Sequence, residues 1–159
     1  MLEDLPLNSK IHDRNSFRCG EPLLDQFLQK EAAQLEKRNI TKTFVLVDPS
    51  NPTVIVGFYS LSTAQVDHQD FSEGLKKKLP RYPIPCIRLG RLARSLEYLG
   101  EGIGELLIGK ALLRCQEVQK IVGAKALIVD AKNSQARDFY IEYGFTPFEY
   151  DDHHLFLIL

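Results

Sequence analysis

Cysteine is scarce and scattered. Cys19, Cys86 and Cys115 are the three in the chain, an odd number without the spacing of a disulfide framework. None has a histidine partner in a recognisable arrangement, which excludes cysteine catalysis. His12, His68, His153 and His154 show no metal-ligand spacing with cysteines or acids, so no metal is expected. Apolar runs are short, as in Ala126-Leu127-Ile128-Val129. Nothing approaches the ~18 consecutive apolar residues of a membrane span. Met1-Leu2-Glu3-Asp4-Leu5-Pro6 lacks the basic start and apolar stretch of a signal peptide, and the cytoplasm is the expected compartment. An excess of one charge is missing as well. Lys and Arg number 20 against 21 acids, a net charge of -1, which rules out a chain-wide basic field for nucleic-acid phosphates but not a local patch.

What is there describes one soluble globular domain over residues 1–159. Apolar residues make up 44% and charged residues 26%, and a chain of this length buries roughly 70% of its unfolded surface without a disulfide or metal staple. No repeat, low-complexity tract or linker interrupts it. The charge is uneven: from Lys76 to Arg94 there are seven Lys or Arg and no acid.

The first helix is expected over 22–37, with Pro22 at its start and Leu24, Leu28, Ala32 and Leu35 on one face. Strands over 42–47 and 54–61 follow, joined by the turn formers Asp48-Pro49-Ser50-Asn51-Pro52. Residues 65–85 read as an irregular, exposed loop, and loops of that length tend to carry function. A strand over 84–94 and a glycine-rich turn lead into a helix reaching about 122. Its stripe of Ile103, Leu107, Ala111, Cys115 and Val118 is widened by Leu106, Leu112 and Leu113. A buried strand over 124–130, a helix over 134–143 stopped by Gly144, and strands over 146–150 and 153–159 complete the order. Strand, helix and strand over 84–130 form a βαβ unit with a locally parallel pair.

Two motifs carry chemistry. Gly100-x-Gly102-x-Gly104 lies between a strand and a helix, where unpaired backbone N–H groups and the positive end of the helix dipole suit a pyrophosphate. Such glycines also punctuate ordinary strand–helix turns. No Gly-Lys-Ser/Thr follows, so it is not a Walker loop, and G-x-G-x-G late in the chain does not fit a Rossmann site. The second motif is Asn133-Ser134-Gln135-Ala136-Arg137-Asp138-Phe139-Tyr140, leading into Tyr143-Gly144-Phe145. Core packing alone accounts for its shared face of Ala136, Phe139, Tyr140 and Tyr143.

The ordered set of strand, G-x-G-x-G, helix, strand and N-x-x-A-x-x-F-Y-x-x-x-G-F resembles the GCN5-related N-acetyltransferases (GNAT) over nearly the whole chain. The resemblance is closer to the acetyltransferase toxins of bacterial type II toxin–antitoxin modules. It is carried by Phe17-Arg18-Cys19-Gly20-Glu21-Pro22, Val56-Gly57-Phe58-Tyr59-Ser60, Arg81-Tyr82-Pro83-Ile84-Pro85, Leu89-Gly90-Arg91-Leu92-Ala93 and Phe139-Tyr140. It implies an α/β (α+β) GNAT acyl-CoA N-acyltransferase fold: a mixed, mostly antiparallel sheet with a splayed parallel pair, flanked by helices. It further implies that acetyl-CoA enters between the splayed strands and that the pantetheine arm bonds to backbone at Leu92, Ala93 and Arg94, like an added strand. The pyrophosphate would rest on Leu99, Gly100, Glu101, Gly102, Ile103 and Gly104, although Leu99 replaces the Gln or Arg that usually opens the pattern. Asn133 and Phe139 match positions beside the cofactor arm. Tyr140 takes the role of general acid to the CoA thiolate, and a backbone N–H on the cofactor strand meets the oxyanion.

The toxin branch acetylates the α-amine of aminoacyl-tRNA, and Arg81, Arg88 and Arg91 are the candidates for its phosphates. The branch also implies a DNA-binding antitoxin and a homodimer. Neither Glu97 nor Asp130 carries a motif that marks a general base, and an α-amine of pKa near ~8 can lose its proton to water. An ordinary acetyltransferase for a protein or small-molecule amine, and a CoA-binding module without turnover, stay open.

Overall fold

The computed structural model describes residues 1–159 throughout. A strand that the sequence pattern did not announce, β1 (Glu3–Pro6), pairs antiparallel with β2 (Lys42–Val47), from Glu3 opposite Val47 to Pro6 opposite Phe44. Four residues ending in proline give no strand pattern, and proline is tolerated there because β1 is an edge strand. The helix expected over 22–37 is present in three pieces: α1 (Pro22–Gln26), a π-helical turn (Phe27–Glu31) and α2 (Ala32–Lys37). In the turn the Ala32 N–H reaches back to Phe27 O. The wider turn accompanies two adjacent buried residues, Phe27 and Leu28.

Strand β3 (Gly57–Val66) starts later and runs further than the expected 54–61. Val54 lies outside it, in an isolated bridge with Asp13. The polar stretch at its far end alternates in burial and so still follows the pleat. Residues 65–85 are also more ordered than expected. They hold a 3-10 turn (His68–Asp70) and α3 (Glu73–Lys76). Phe71 anchors them: it is 2% exposed, with its ring centroid 5.6 Å from Phe148 and 5.3 Å from Phe156.

Strand β4 (Ile84–Arg94) has the expected bounds and leads through a 3-10 turn (Leu96–Tyr98) to α4 (Ile103–Gln119). This helix ends three residues early, and Ile121 and Val122 are exposed. Leu113, expected to widen the covered stripe, also faces solvent, while Ile103, Leu107, Ala111 and Cys115 are buried. The chain closes with β5 (Ala126–Asp130), α5 (Ser134–Glu142), β6 (Thr146–Phe148) and β7 (Asp151–Ile158).

The sheet order is β1-β2-β3-β4-β5-β7-β6. The pairs β1–β2, β2–β3, β5–β7 and β6–β7 are antiparallel, whereas β4–β5 is parallel, from Cys86 opposite Ala126 to Leu89 opposite Val129. Backbone contacts divide the chain into two compact units, Met1–Ser62 with Gly90–Ala111, and Thr63–Leu89 with Leu112–Leu159. The first is built on Phe17, Phe27, Leu28, Val45 and Phe58, with Phe17 edge-on to Phe58 at 5.5 Å. There the Tyr59 hydroxyl donates to Asp4 Oδ2 at 2.9 Å. The second is built on Phe71, Ile84, Ala126, Ile128, Phe148 and Phe156. No helix is long and apolar enough to cross a membrane.

Because Phe71 is an anchor, Phe71→Ala lowers stability by about 3–5 kcal/mol, the cost of a large cavity. Urea unfolding checks this; a loss below about 0.5 kcal/mol is what a loop unattached to the core would show.

Candidate active site

In the first unit a backbone cradle precedes α4. Ser95 fixes the approach: its N–H donates to Val56 O at 2.8 Å, and its Oγ accepts from the Glu97 N–H at 3.3 Å. Gly100 and Gly102 then take φ of +77° and +73°. A Cβ at either would meet nothing within 4 Å, so the left-handed backbone, and not crowding, calls for glycine. The first N–H groups of α4 have no acceptor within the helix, and a 17-residue helix puts its positive end there. Leu99, Gly100, Glu101 and Gly102 are exposed and Gly104 is half-buried. The Ile103 side chain belongs to the core, which leaves only its backbone facing the turn.

At the end of β4, Leu92 and Arg94 are half-buried and Ala93 is buried. Gly57 lets β3 approach closely, since a Cβ there would sit 3.0 Å from Ala93 O. Arg94 leaves Nη1 buried and without a hydrogen-bond partner. An open amide cradle and an unpaired guanidinium nitrogen fit an anionic cofactor.

In the second unit, Asn133 caps α5 by accepting the Ala136 N–H at 2.8 Å. The helix carries an aromatic ladder, with Phe139 5.4 Å from Tyr140 and 5.0 Å from Tyr143, and Tyr140 5.3 Å from Phe145. Gly144, at φ +98°, ends it, and the Phe145 N–H returns to Tyr140 O at 3.1 Å. Tyr140 is 8% exposed, and no protein group hydrogen-bonds its hydroxyl. Burial pushes that phenol up to about 12. It stays protonated far above neutral pH, as a proton donor must.

Arg81 is exposed on a cavity of about 690 Å3, lined also by Asp67, His68, Lys76, Lys77 and Tyr82. Arg88 is paired with Asp130, and Arg91 lies 4.2 Å over the Phe27 ring. Lys76 pairs with Glu73 at 2.8 Å. The thiols do not compete for the chemistry: burial pushes Cys86 up to about 11 and Cys115 to about 12. His12 is buried, with Nδ1 accepting the Asn8 N–H at 2.9 Å.

One group was not foreseen. Tyr150 is hydrogen-bonded to His154, whose Nε2 lies 2.7 Å from Asp130 Oδ1. Their only trace in the sequence is an acid ending the apolar strand β5, because β5 and β7 meet through the sheet and not along the chain.

A parallel pair within a mostly antiparallel sheet, a glycine cradle before a helix, and a buried free phenol on α5 define a GNAT-type acyl-CoA N-acyltransferase. No family model matches the chain. It is 33% identical over 151 residues to a tRNA-acetylating toxin of Mycobacterium tuberculosis, covering 95% of this chain and 89% of that one. It is 29% identical over 150 residues to the probable toxin TacT of Sinorhizobium fredii, covering 89% and 82%. The solved structure of AtaT complexed with acetyl-methionyl-tRNAfMet aligns with a TM-score of 0.92 at 27% identity, covering 99% of this chain and 95% of that one. The chain belongs to the tRNA-acetylating toxins, GNAT-type acetyltransferases of type II toxin–antitoxin modules.

The raised acids make stability fall on the alkaline side. Folded Cys86 and Cys115 hold their protons above the ordinary thiol value of 9.0, and Tyr140 above 10.0. The unfolded chain therefore releases protons first as pH rises. Urea midpoints fall from pH 9 upward, and Tyr140→Phe removes part of the fall above pH 10. A midpoint flat from pH 9 to 11 contradicts these burials.

Proposed function

We propose that this chain transfers the acetyl group of acetyl-CoA to the α-amine of aminoacyl-tRNA, working as one catalytic domain in the cytoplasm and blocking translation. The observation that carries the chemistry is Tyr140, a buried phenol whose hydroxyl is engaged by nothing in the protein. The choice of acceptor is supported by relatives along nearly the full chain, one a tRNA-acetylating toxin and one solved with acetyl-methionyl-tRNA. Another solved structure, of AtaTR, has bound acetyl-CoA, and both AtaT and KacT have been solved as Tyr→Phe mutants.

Acetyl-CoA supplies the thioester. Its pyrophosphate takes the amides of Gly100–Gly104 with Leu99 leading in, and its arm takes backbone at Leu92, Ala93 and Arg94. Asn133 and Phe139 flank the arm. The amine forms the C–N bond, a strand amide holds the oxyanion, and the C–S bond breaks. Tyr140 gives its proton to the departing sulfur. Arg81, exposed on its cavity, leads the tRNA-phosphate contacts; the other two candidates, Arg88 and Arg91, are engaged by Asp130 and by the Phe27 ring. AtaT is solved with the C-terminus of the antitoxin AtaR, and KacTA with DNA. A DNA-binding antitoxin therefore completes the proposal, and a homodimer is added to it on the family resemblance alone.

In single turnover with charged tRNA, Tyr140→Phe lowers acetyl transfer about 10²–10⁴-fold and leaves acetyl-CoA binding unchanged in calorimetry. Equal transfer by the mutant removes the general-acid role. Preferential transfer to a peptide lysine or a free amine overturns the tRNA assignment.

A further inference from the structure

One face of the second unit's sheet is apolar along Cys86, Ala126, Ile128 and Phe156. It turns polar where the β4–β5 ladder stops. Arg88, Asp130 and His154 are the next residues on that face of β4, β5 and β7. Asp130 lies one residue past the last β4–β5 pair and is the register partner of His154. Tyr150, just before β7, closes the group. The Tyr150 hydroxyl is 2.8 Å from His154 Nδ1, His154 Nε2 is 2.7 Å from Asp130 Oδ1, and Arg88 Nη1 is 2.5 Å from Asp130 Oδ2.

Charge fixes the direction of this chain. A carboxylate only accepts, so His154 Nε2 carries the proton and Nδ1 accepts the Tyr150 O–H. The phenolic oxygen keeps its lone pairs for an incoming donor, and Tyr150 is 56% exposed. We propose that Tyr150, His154 and Asp130 form a proton relay that deprotonates the acceptor amine before it attacks the thioester. The relay rests on the acetyl-transfer function proposed above.

The protons balance. The ammonium gives one proton to the Tyr150 oxygen while the Tyr150 proton moves to His154 Nδ1. The resulting imidazolium is offset by Asp130, which Arg88 holds in place. The neutral amine forms the C–N bond and the C–S bond breaks. Tyr140 protonates the sulfur and is refilled by the proton that the new amide nitrogen sheds. His154 returns its proton to water, so one proton is released per amide formed. The charged groups facing Tyr150 are Asp70 in the 3-10 turn after β3, Asp130 on β5, Asp151 on β7 and Arg88 on β4. Burial first, and then the three acids, push the Tyr150 phenol up, and the acids also attract an ammonium.

The test is the pH dependence of kcat/KM for Tyr150→Phe and His154→Asn, with melting temperature and acetyl-CoA binding as controls of the fold. Both variants lose at least about tenfold at pH 6.5. Both approach the wild type at pH 9, where most of an amine of pKa near ~8 is already neutral. Profiles parallel to the wild type at every pH, whether or not lowered, overturn the relay alone. A wild type that transfers acetyl to no amine overturns the parent function and the relay with it.

Discussion

The parallel ladder between β4 and β5 runs only from Cys86–Ala126 to Leu89–Val129, and the polar side chains of the second unit are arranged around its stop. Parallel strands are stable where both faces are covered, and Ala126 to Val129 are all buried. Asp130, the next residue, is exposed. From there the chain has little freedom. Ala131 donates to His153 O at 2.7 Å, Asn133 caps α5, and Tyr140 falls on the inner face of the helix. Where Tyr140 stands thus follows from where β5 ends. The same stop brings Asp130 opposite His154.

The proposed function divides cofactor recognition and chemistry between backbone and side chains. The run of amides before α4 depends on two left-handed glycines, and a cradle made of backbone does not need a polar side chain at Leu99. The side-chain chemistry is more demanding. A phenol near 12 and a thiol near ~8.5 differ by about 5 kcal/mol in proton affinity, so Tyr140 does not hand its proton to a free thiolate without help. In the proposed reaction its neutral hydroxyl donates a hydrogen bond as charge builds on sulfur. On the proposed function the cationic nitrogen of the adduct refills it and so completes the transfer. In that proposal, burial that keeps the phenol neutral and a nitrogen that sheds a proton are two halves of one step.

The elements legible in the sequence were those set by local pattern. β2 and β4 had the expected bounds, and Gly144 ended α5 as expected. β1 escaped because its pairing with β2 is long-range and its own four residues carry no pattern. Residues 65–85 looked exposed because one residue, Phe71, does the anchoring amid lysines and acids. Helical spacing puts Leu113 in the covered stripe but does not reveal how wide the covering surface is, and the side chain is exposed. The site divides the same way. The glycine cradle is contiguous and readable, and Tyr140 stands in a contiguous motif. Arg88, Asp130, Tyr150 and His154 come together only through the order β4-β5-β7, which no local spacing encodes.

The central claim is that the acceptor is the α-amine of a charged tRNA. Labelled acetyl-CoA, supplied with charged tRNA, deacylated tRNA, free amino acids and a lysine peptide together, tests it most directly, with nuclease digestion and mass spectrometry locating the label. The account predicts N-acetylaminoacyl-adenosine as the labelled product, with none on deacylated tRNA. Label on the lysine peptide or the free amino acids, with charged tRNA left bare, would contradict it.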